Sequence, residues 1–266
     1  MQRSKRLSSA GQWLVIAILA CYVVLAFSPA NAAEQQTVKS ANKQEVIVYT
    51  YHSKPPYVAD IINEEGSYYD FVATMNDLSD TYHFTLHFLP RNRLDLYLRE
   101  NKVEGFVIGV NPKWFKDIKR TRYFWSEAIY NDRDEFVSLA SNPFEFTGAD
   151  SLHGKVVGAS RGYIYRGVDT VVAKGLAQRI NAVNEAAVFK LILKGRVDVG
   201  IISKKSLPAF FKNNNTDLVF SEIGEQGIHL SKRPHDEFTR HLLIPKSQPQ
   251  LFNHLEEIVP LAKERH

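Results

Sequence analysis

Three clusters of aromatic and amide side chains are suited to holding a small molecule. Tyr51, His52 and Tyr57 follow the first apolar run of the chain. Asn111, Trp114 and Phe115 follow the run Phe106-Val107-Ile108, and Tyr163 and Tyr165 follow Lys155–Ala159. Aromatic faces in such positions favour a flat, apolar or cationic guest through stacking, cation–π contact and hydrophobic burial. Arg91, in Leu-Pro-Arg-Asn-Arg, can bring a guanidinium to the same place, while Arg93 reads as a surface residue. Arg161-Gly162 can offer a cation and backbone N–H groups to an anion. Each has a packing alternative: Tyr57 beneath its own loop, Trp114 and Phe115 in a core or hinge, and Arg161-Gly162 as a simple strand-to-helix turn.

Signatures of bond-breaking chemistry are missing. The sequence has no His-Glu-x-x-His, no phosphate-cradling loop, no Gly-x-Ser-x-Gly and no dinucleotide fingerprint. Its nine histidines lack metal-ligand spacing. His235-Asp236-Glu237 with His241 comes nearest, and a charged loop entering the last strand explains it. Glu64-Glu65 and Glu256-Glu257 read as solvated faces. No catalytic residue, metal or cofactor is expected.

The chain has 266 residues, 44% hydrophobic and 23% charged, which suits one or two folded domains and not a fibrous or disordered polymer. The formal charge of +4 depends on the first 32 residues. These hold Arg3, Lys5 and Arg6 and no acid, so taking 3 from the 33 Lys and Arg leaves 30 against 29 Asp and Glu. A chain this close to neutral has no net field to attract nucleic acid or anionic lipid.

That first segment reads as a secretory signal. A basic start precedes the fifteen apolar residues Trp13–Phe27, then Pro29 and an Ala-x-Ala site at Ala30–Ala32, with cleavage expected after Ala32. Fifteen helical residues span about 22 Å, short of the ~30 Å hydrocarbon core. A retained anchor, or lipidation at Cys21 after Ile18-Leu19-Ala20, is the alternative. Cys21 is the only cysteine. The exported chain then has no disulfide or thiolate, and no later segment is long and apolar enough to span a membrane. A bacterial periplasm is the expected location.

The elements that must position the candidates follow from hydrophobic period. After a loose polar leader (33–43), Val46–Tyr51 reads as a buried strand that Pro55-Pro56 stops. Residues 69–82 place Phe71, Met75 and Leu78 at helical spacing, 84–88 alternate as a strand, 92–100 form a short helix and Phe106–Ile108 another strand. The second half repeats the theme: strand 155–159, helix 163–175, strand 178–182, helix 185–194 capped by Asn184, strand 197–202 and helix 204–213. Strand 240–244 follows, then a helix over 248–264 with Leu251, Leu255, Ile258 and Leu261 on one face. Alternating strands and helices imply open α/β sheets with right-handed crossovers. In such sheets the loops at the strands' carboxyl ends, where all three clusters stand, line the ligand crevice.

Over roughly residues 44–264 the chain resembles the type 2 periplasmic solute-binding proteins, closest to extracellular family 3, which mostly serves polar amino-acid importers. The resemblance rests on Pro55-Pro56-Tyr57 after the first strand, on Gly66, Tyr69 and Asp70 at the first helix, and on Glu104–Gly109. It continues through Phe124-Trp125-Ser126 with Tyr130, through Leu152–Gly158, and through Leu191–Val199. It implies two doubly wound α/β lobes joined by two crossing strands, the periplasmic-binding-protein-like II fold. Lobe 1 would be 44–131 plus 238–264, and lobe 2 would be 136–234. It implies a monomer that closes by hinge motion on a small molecule and passes it to an inner-membrane importer or sensor.

The resemblance breaks at two charged positions. Where the family has an arginine for the ligand's carboxylate, this chain has Trp114 or Lys116, depending on alignment. Where it often has an aspartate for the ammonium, five residues after Asp198, this chain has Ser203. Losing one charged, bidentate contact costs about 1.5–3 kcal/mol, so the expected ligand is not a standard α-amino acid. The alternatives are a dehydratase-like envelope enzyme on this scaffold, which would need a cleft carboxylic acid and a carboxylate-binding arginine, or an interaction module that binds no small molecule.

Overall fold

In the computed structural model the apolar run at Val46 becomes β1 (Gln44–Thr50), which pairs in parallel with β2 (Tyr82–Phe88) and β3 (Gly105–Val110). Helices α1 (Ser67–Leu78) and α2 (Arg91–Arg99) make the two crossovers. The structure describes residues 43–213 and 227–266. Residues 1–32, expected to be a signal segment and holding Cys21, the expected leader up to residue 42, and residues 214–226, expected in lobe 2, lie outside the described residues.

Side-chain alternation along β1 decides which helix covers which face. Val46 and Val48 point to one side, with Phe84, Phe106 and Ile108, beneath α1 and α6 (Pro249–Glu264). Tyr49 points to the other, with Val107, Leu94 and Leu98, beneath α2. Both faces are buried, as a doubly wound parallel sheet requires.

The second sheet is built likewise from β6 (Val156–Ser160), β7 (Gln178–Ala182) and β8 (Val199–Ser203). Its helices are α3 (Val168–Ala173), α4 (Glu185–Leu193) and α5 (Leu207–Asn213). β6 is parallel to both β7 and β8. Val157, Ala159 and Ile201 pack beneath α3, and Ile202 packs against Val188 and Ile192 of α4.

Two ten-residue strands join the lobes. β5 (Tyr130–Leu139) and β10 (Asp236–Pro245) run antiparallel, in register from Asp236 opposite Asp134 to Arg240 opposite Tyr130. Past Arg240, β10 leaves β5 and pairs with β3 and with β4 (Tyr123–Trp125); past Asp134, β5 pairs with β8 and with β9 (Ile228–Leu230). The register of β10 against β3 shifts between His241 and Leu242, just past the change of partner at Arg240. The strand order is β2-β1-β3-β10-β5-β8-β6-β7.

Two expectations need correction, and two short strands add to those expected. The helix expected over 163–175 is only Val168–Ala173, because Gly162 and Gly167 take positive φ (80° and 81°) on either side of an irregular stretch. Leu261 is exposed, and Val259 and Ala262 fill the buried stripe of α6 instead. β4 and β9, at three residues each, are too short to show a period.

Candidate functional site

The carboxyl ends of β1 and β6 face one another across the lobes. Tyr51 follows β1 and Tyr163 follows β6, and their rings meet edge to face with centroids 5.5 Å apart. His52 packs on Tyr51 at 4.2 Å. Two polar contacts run the same way. Lys54 forms a buried ion pair with Glu185 at the start of α4, and the Ser206 hydroxyl donates to the Pro55 carbonyl at 2.6 Å.

Between these contacts lie two cavities with four wall residues in common: Tyr51, Lys54, Arg91 and Tyr163. The outer one measures about 200 Å³ and opens between Phe88, Pro90 and Asn92 of lobe 1 and Ser160, Arg161, Gly162, Val183 and Asn184 of lobe 2. The inner one measures about 30 Å³, room for about two waters. Its further walls are His52, Trp114, Asp134, Tyr165, Phe238 and Arg240.

A buried charge network forms the floor. The Arg240 guanidinium donates to Asp132 at 2.9 Å and to the Gly109 carbonyl at 3.0 Å, and its Nη1 lies 3.2 Å from His52 Nε2. Asp132 also accepts from Tyr57 at 2.8 Å and from Ser203 at 2.6 Å. Glu185, besides Lys54, accepts from the Ser203 amide at 3.1 Å. Gly109 is obligatory here: its φ is +79°, and a Cβ would fall on the Tyr68 hydroxyl.

These contacts set the protonation states. Burial opposes a charge on Asp132, but Arg240, Lys54 and the Ser203 hydroxyl outweigh it and hold the carboxyl down at about 2. Asp134 goes the other way. Burial pushes it up to about 7, opposed by Lys54 and aided by Glu185. Burial, then Arg240 and Lys54, drive His52 well below its usual value, so the ring is neutral at pH 7.

The expected site residues divide into two groups. Tyr51, His52, Arg91, Trp114, Arg161, Tyr163 and Tyr165 stand in the cavity walls. Tyr163 and Tyr165 do so together, with ring centroids 6.3 Å apart, since no helix separates their directions. Tyr57, Asn111, Phe115 and Ser203 stand behind the walls. Tyr57 and Ser203 hold Asp132. Asn111 caps the 3₁₀ turn Pro112–Phe115 by accepting from Lys113 N, and it donates to the Thr239 carbonyl. Phe115 lies beneath the Arg91 guanidinium at 4.3 Å. Arg91 is itself engaged by Asp95, the Tyr51 hydroxyl and the Trp114 carbonyl. Lys116 is exposed and ends the turn in a left-handed conformation, so Trp114 is the residue that reaches the cleft.

Lys54, Asp132, Asp134, Glu185 and Arg240 are central and are not among the site residues expected from the sequence. Strand parity is the signal that reveals most of them. Phe238, Arg240, Leu242 and Ile244 share one face of β10, and Asp132, Asp134 and Phe136 share one face of β5. Charges in phase with buried apolar positions mark an interior network. Lys54 and Glu185 carry no comparable local signal.

Among the described residues no group of three or more His, Cys, Asp or Glu could hold a metal, and no helix is long and apolar enough to cross a membrane. No protein-family model and no curated protein matches the sequence. Solved structures match in fold. Holo ArgBP from T. maritima superposes with a TM-score of 0.62 at 14% identity, over 86% of this chain and 93% of that one. An ancestral arginine-binding protein bound to glutamine gives 0.62 at 16%, over 84% and 93%. The GluR0 ligand-binding core from Nostoc punctiforme, in complex with (L)-glutamate, gives 0.62 at 15%, over 83% and 93%. At these identities the likeness carries the fold: this chain has the periplasmic-binding-protein-like II architecture, two α/β lobes on two crossing strands.

Proposed function

We propose that the protein is a periplasmic solute-binding protein, exported through its first 32 residues, that captures a small molecule between lobes 44–131 plus 238–264 and 136–234. It delivers that molecule to an inner-membrane importer or sensor. One observation carries the reading: a single cavity wall is built from both lobes, with Tyr51 and Lys54 on one side and Tyr163 and Glu185 on the other. A guest touching both sides binds the closed form more tightly than the open one, which is all a hinged capture device requires.

The guest is not a standard α-amino acid in this reading, although structural neighbours carry arginine, glutamine or glutamate. No arginine follows β3 at Trp114 or Lys116; of the three wall arginines Arg91 is paired with Asp95 and Arg240 with Asp132, and the outer cavity's Glu185, which could meet an ammonium, is taken by Lys54. Native mass spectrometry of the protein against a panel of amino acids, organic acids, amines and peptides tests the reading. A one-to-one complex with an unaltered compound is expected, and a panel with no complex defeats it.

A second reading, a dehydratase-like enzyme on the same scaffold, is favoured by Asp134, a carboxyl that titrates at about 7 in the cavity wall. Such a group can donate a proton at neutral pH. In the same spectra this reading requires a product lighter by one water.

A further inference from the structure

The floor of the cleft holds a cation belonging to the chain itself. The Arg240 guanidinium carbon lies 4.2 Å from the centre of the Tyr57 ring, 5.0 Å from Phe238 and 5.5 Å from Trp114. Asp132 closes the set at 2.9 Å. Three aromatic rings and a carboxylate are the groups that would hold an ammonium or guanidinium ligand. Here the side chain is 1% exposed, and it enters from the middle of a crossing strand, so it cannot leave without the strand.

The remaining carboxylates near the cavities are committed as well. Glu185 is taken by Lys54 and the Ser203 amide, and Asp95 by Arg91. Asp134 makes no side-chain hydrogen bond among the described residues, and burial pushes its carboxyl up to about 7, against the charged form that an ammonium would need. The outer cavity has the opposite balance. Lys54, Arg91 and Arg161 face it against the one carboxylate of Glu185. The Arg161 guanidinium has no partner among the described residues, and the Ser160 hydroxyl, 2% exposed, adjoins only the buried Tyr165 hydroxyl. At about 200 Å³ the space falls below the ~300–1,000 Å³ of drug-sized sites.

We infer that Arg240 is a tethered guest filling the cleft's own cation site, and that the molecule captured beside it is a small organic acid without an ammonium group. The second half rests on the solute-binding reading; the first does not. The acid faces Arg161 and Ser160, and its apolar body lies against the joined rings of Tyr51 and Tyr163.

Two measurements test this. In Arg240→Ala the lost atoms correspond to N-ethylguanidinium, with N-ethylurea as the neutral shape control. N-ethylguanidinium at millimolar concentration should raise the melting temperature of the variant by several degrees. N-ethylurea should not, and neither should affect the parent protein. Equal responses to both probes, or none, overturn the tethered guest. Should the variant not fold alone, refolding yield in each probe gives the same answer: recovery only in N-ethylguanidinium supports it, and recovery in neither or in both overturns it.

For the parent protein, matched compounds are compared: 3-phenylpropionate with phenylalanine and phenethylamine, and butyrate with 4-aminobutyrate. At about 100 times its Kd a binding acid should raise the melting temperature by roughly 5–10 °C, and its ammonium-bearing partner should give less than a tenth of the affinity. A stronger response to the ammonium-bearing compounds overturns the inference while leaving the solute-binding reading intact. A flat response to every compound overturns both.

Discussion

Arg240 and Asp132 form a diagonal pair across the two crossing strands: Asp132 stands opposite Phe238, two residues from Arg240, and the guanidinium reaches it at 2.9 Å with both side chains at most 1% exposed. Diagonal neighbours on one face of an antiparallel pair lie within reach of a long side chain. The pair therefore ties together the strands on which any hinge motion must turn.

Removing one member of this pair leaves the other charge buried. Asp132→Asn should destabilise the protein by about 3–5 kcal/mol in urea titration. The carboxyl sits at about 2, below its ordinary 3.8, so its stabilisation is present above pH 3.8 and is lost as pH falls toward 2. The variant's deficit should accordingly shrink on acidification. A deficit below about 1 kcal/mol at neutral pH would show that Arg240 finds other partners.

Lys54 and Glu185 are paired between the lobes, each at most 5% exposed. Glu185→Gln leaves the Lys54 ammonium uncompensated only while the lobes are together, and opening returns it to water. The variant should have a larger radius of gyration than the parent by small-angle X-ray scattering, with unchanged far-ultraviolet circular dichroism. Identical scattering curves would show that this pair does not govern the lobe angle.

Asp134 gives a pH dependence of opposite sign to that of Asp132. Its folded-state value of about 7 lies above the ordinary 3.8, so the native state binds the extra proton between these values. The associated stability is present below pH 3.8 and is lost as pH rises through 7. Asp134→Asn should therefore gain stability relative to the parent as pH is raised from 4 to 8, in melts recorded across that range. Parallel pH profiles for the two proteins would place the Asp134 titration elsewhere.

Trp114 is half-buried, packs on Phe238 at 4.9 Å and covers the inner cavity. Trp114→Ala should lose ligand stabilisation while costing the unliganded protein about 1–2 kcal/mol, less than a fully buried ring would. Collapse of the unliganded variant would make Trp114 a core residue.

Much of the fold was legible because buried strands and amphipathic helices leave period in the sequence. Val46, Val48, Phe106 and Ile108 announce their sheet directly, and Leu251, Leu255 and Ile258 announce the last helix. The stretch 163–167 was not legible as loop, since Tyr163, Ile164 and Tyr165 suit a helix until the two flanking glycines adopt positive φ. The site was legible at its aromatic rim, which the strand ends place by rule. Its charged floor was not, because Lys54 meets Glu185 across 131 residues and Arg240 meets Asp132 across 108. Local spacing carries no record of such partnerships.

Every role proposed for the cleft depends on the two lobes clasping a small molecule. The most direct test is the melting temperature of the protein across a panel of small organic acids, amino acids and amines. At least one compound should stabilise it by about 2.7 kcal/mol at about 100 times its Kd, and that compound should be recovered unchanged. A melting temperature that no compound moves would contradict the account.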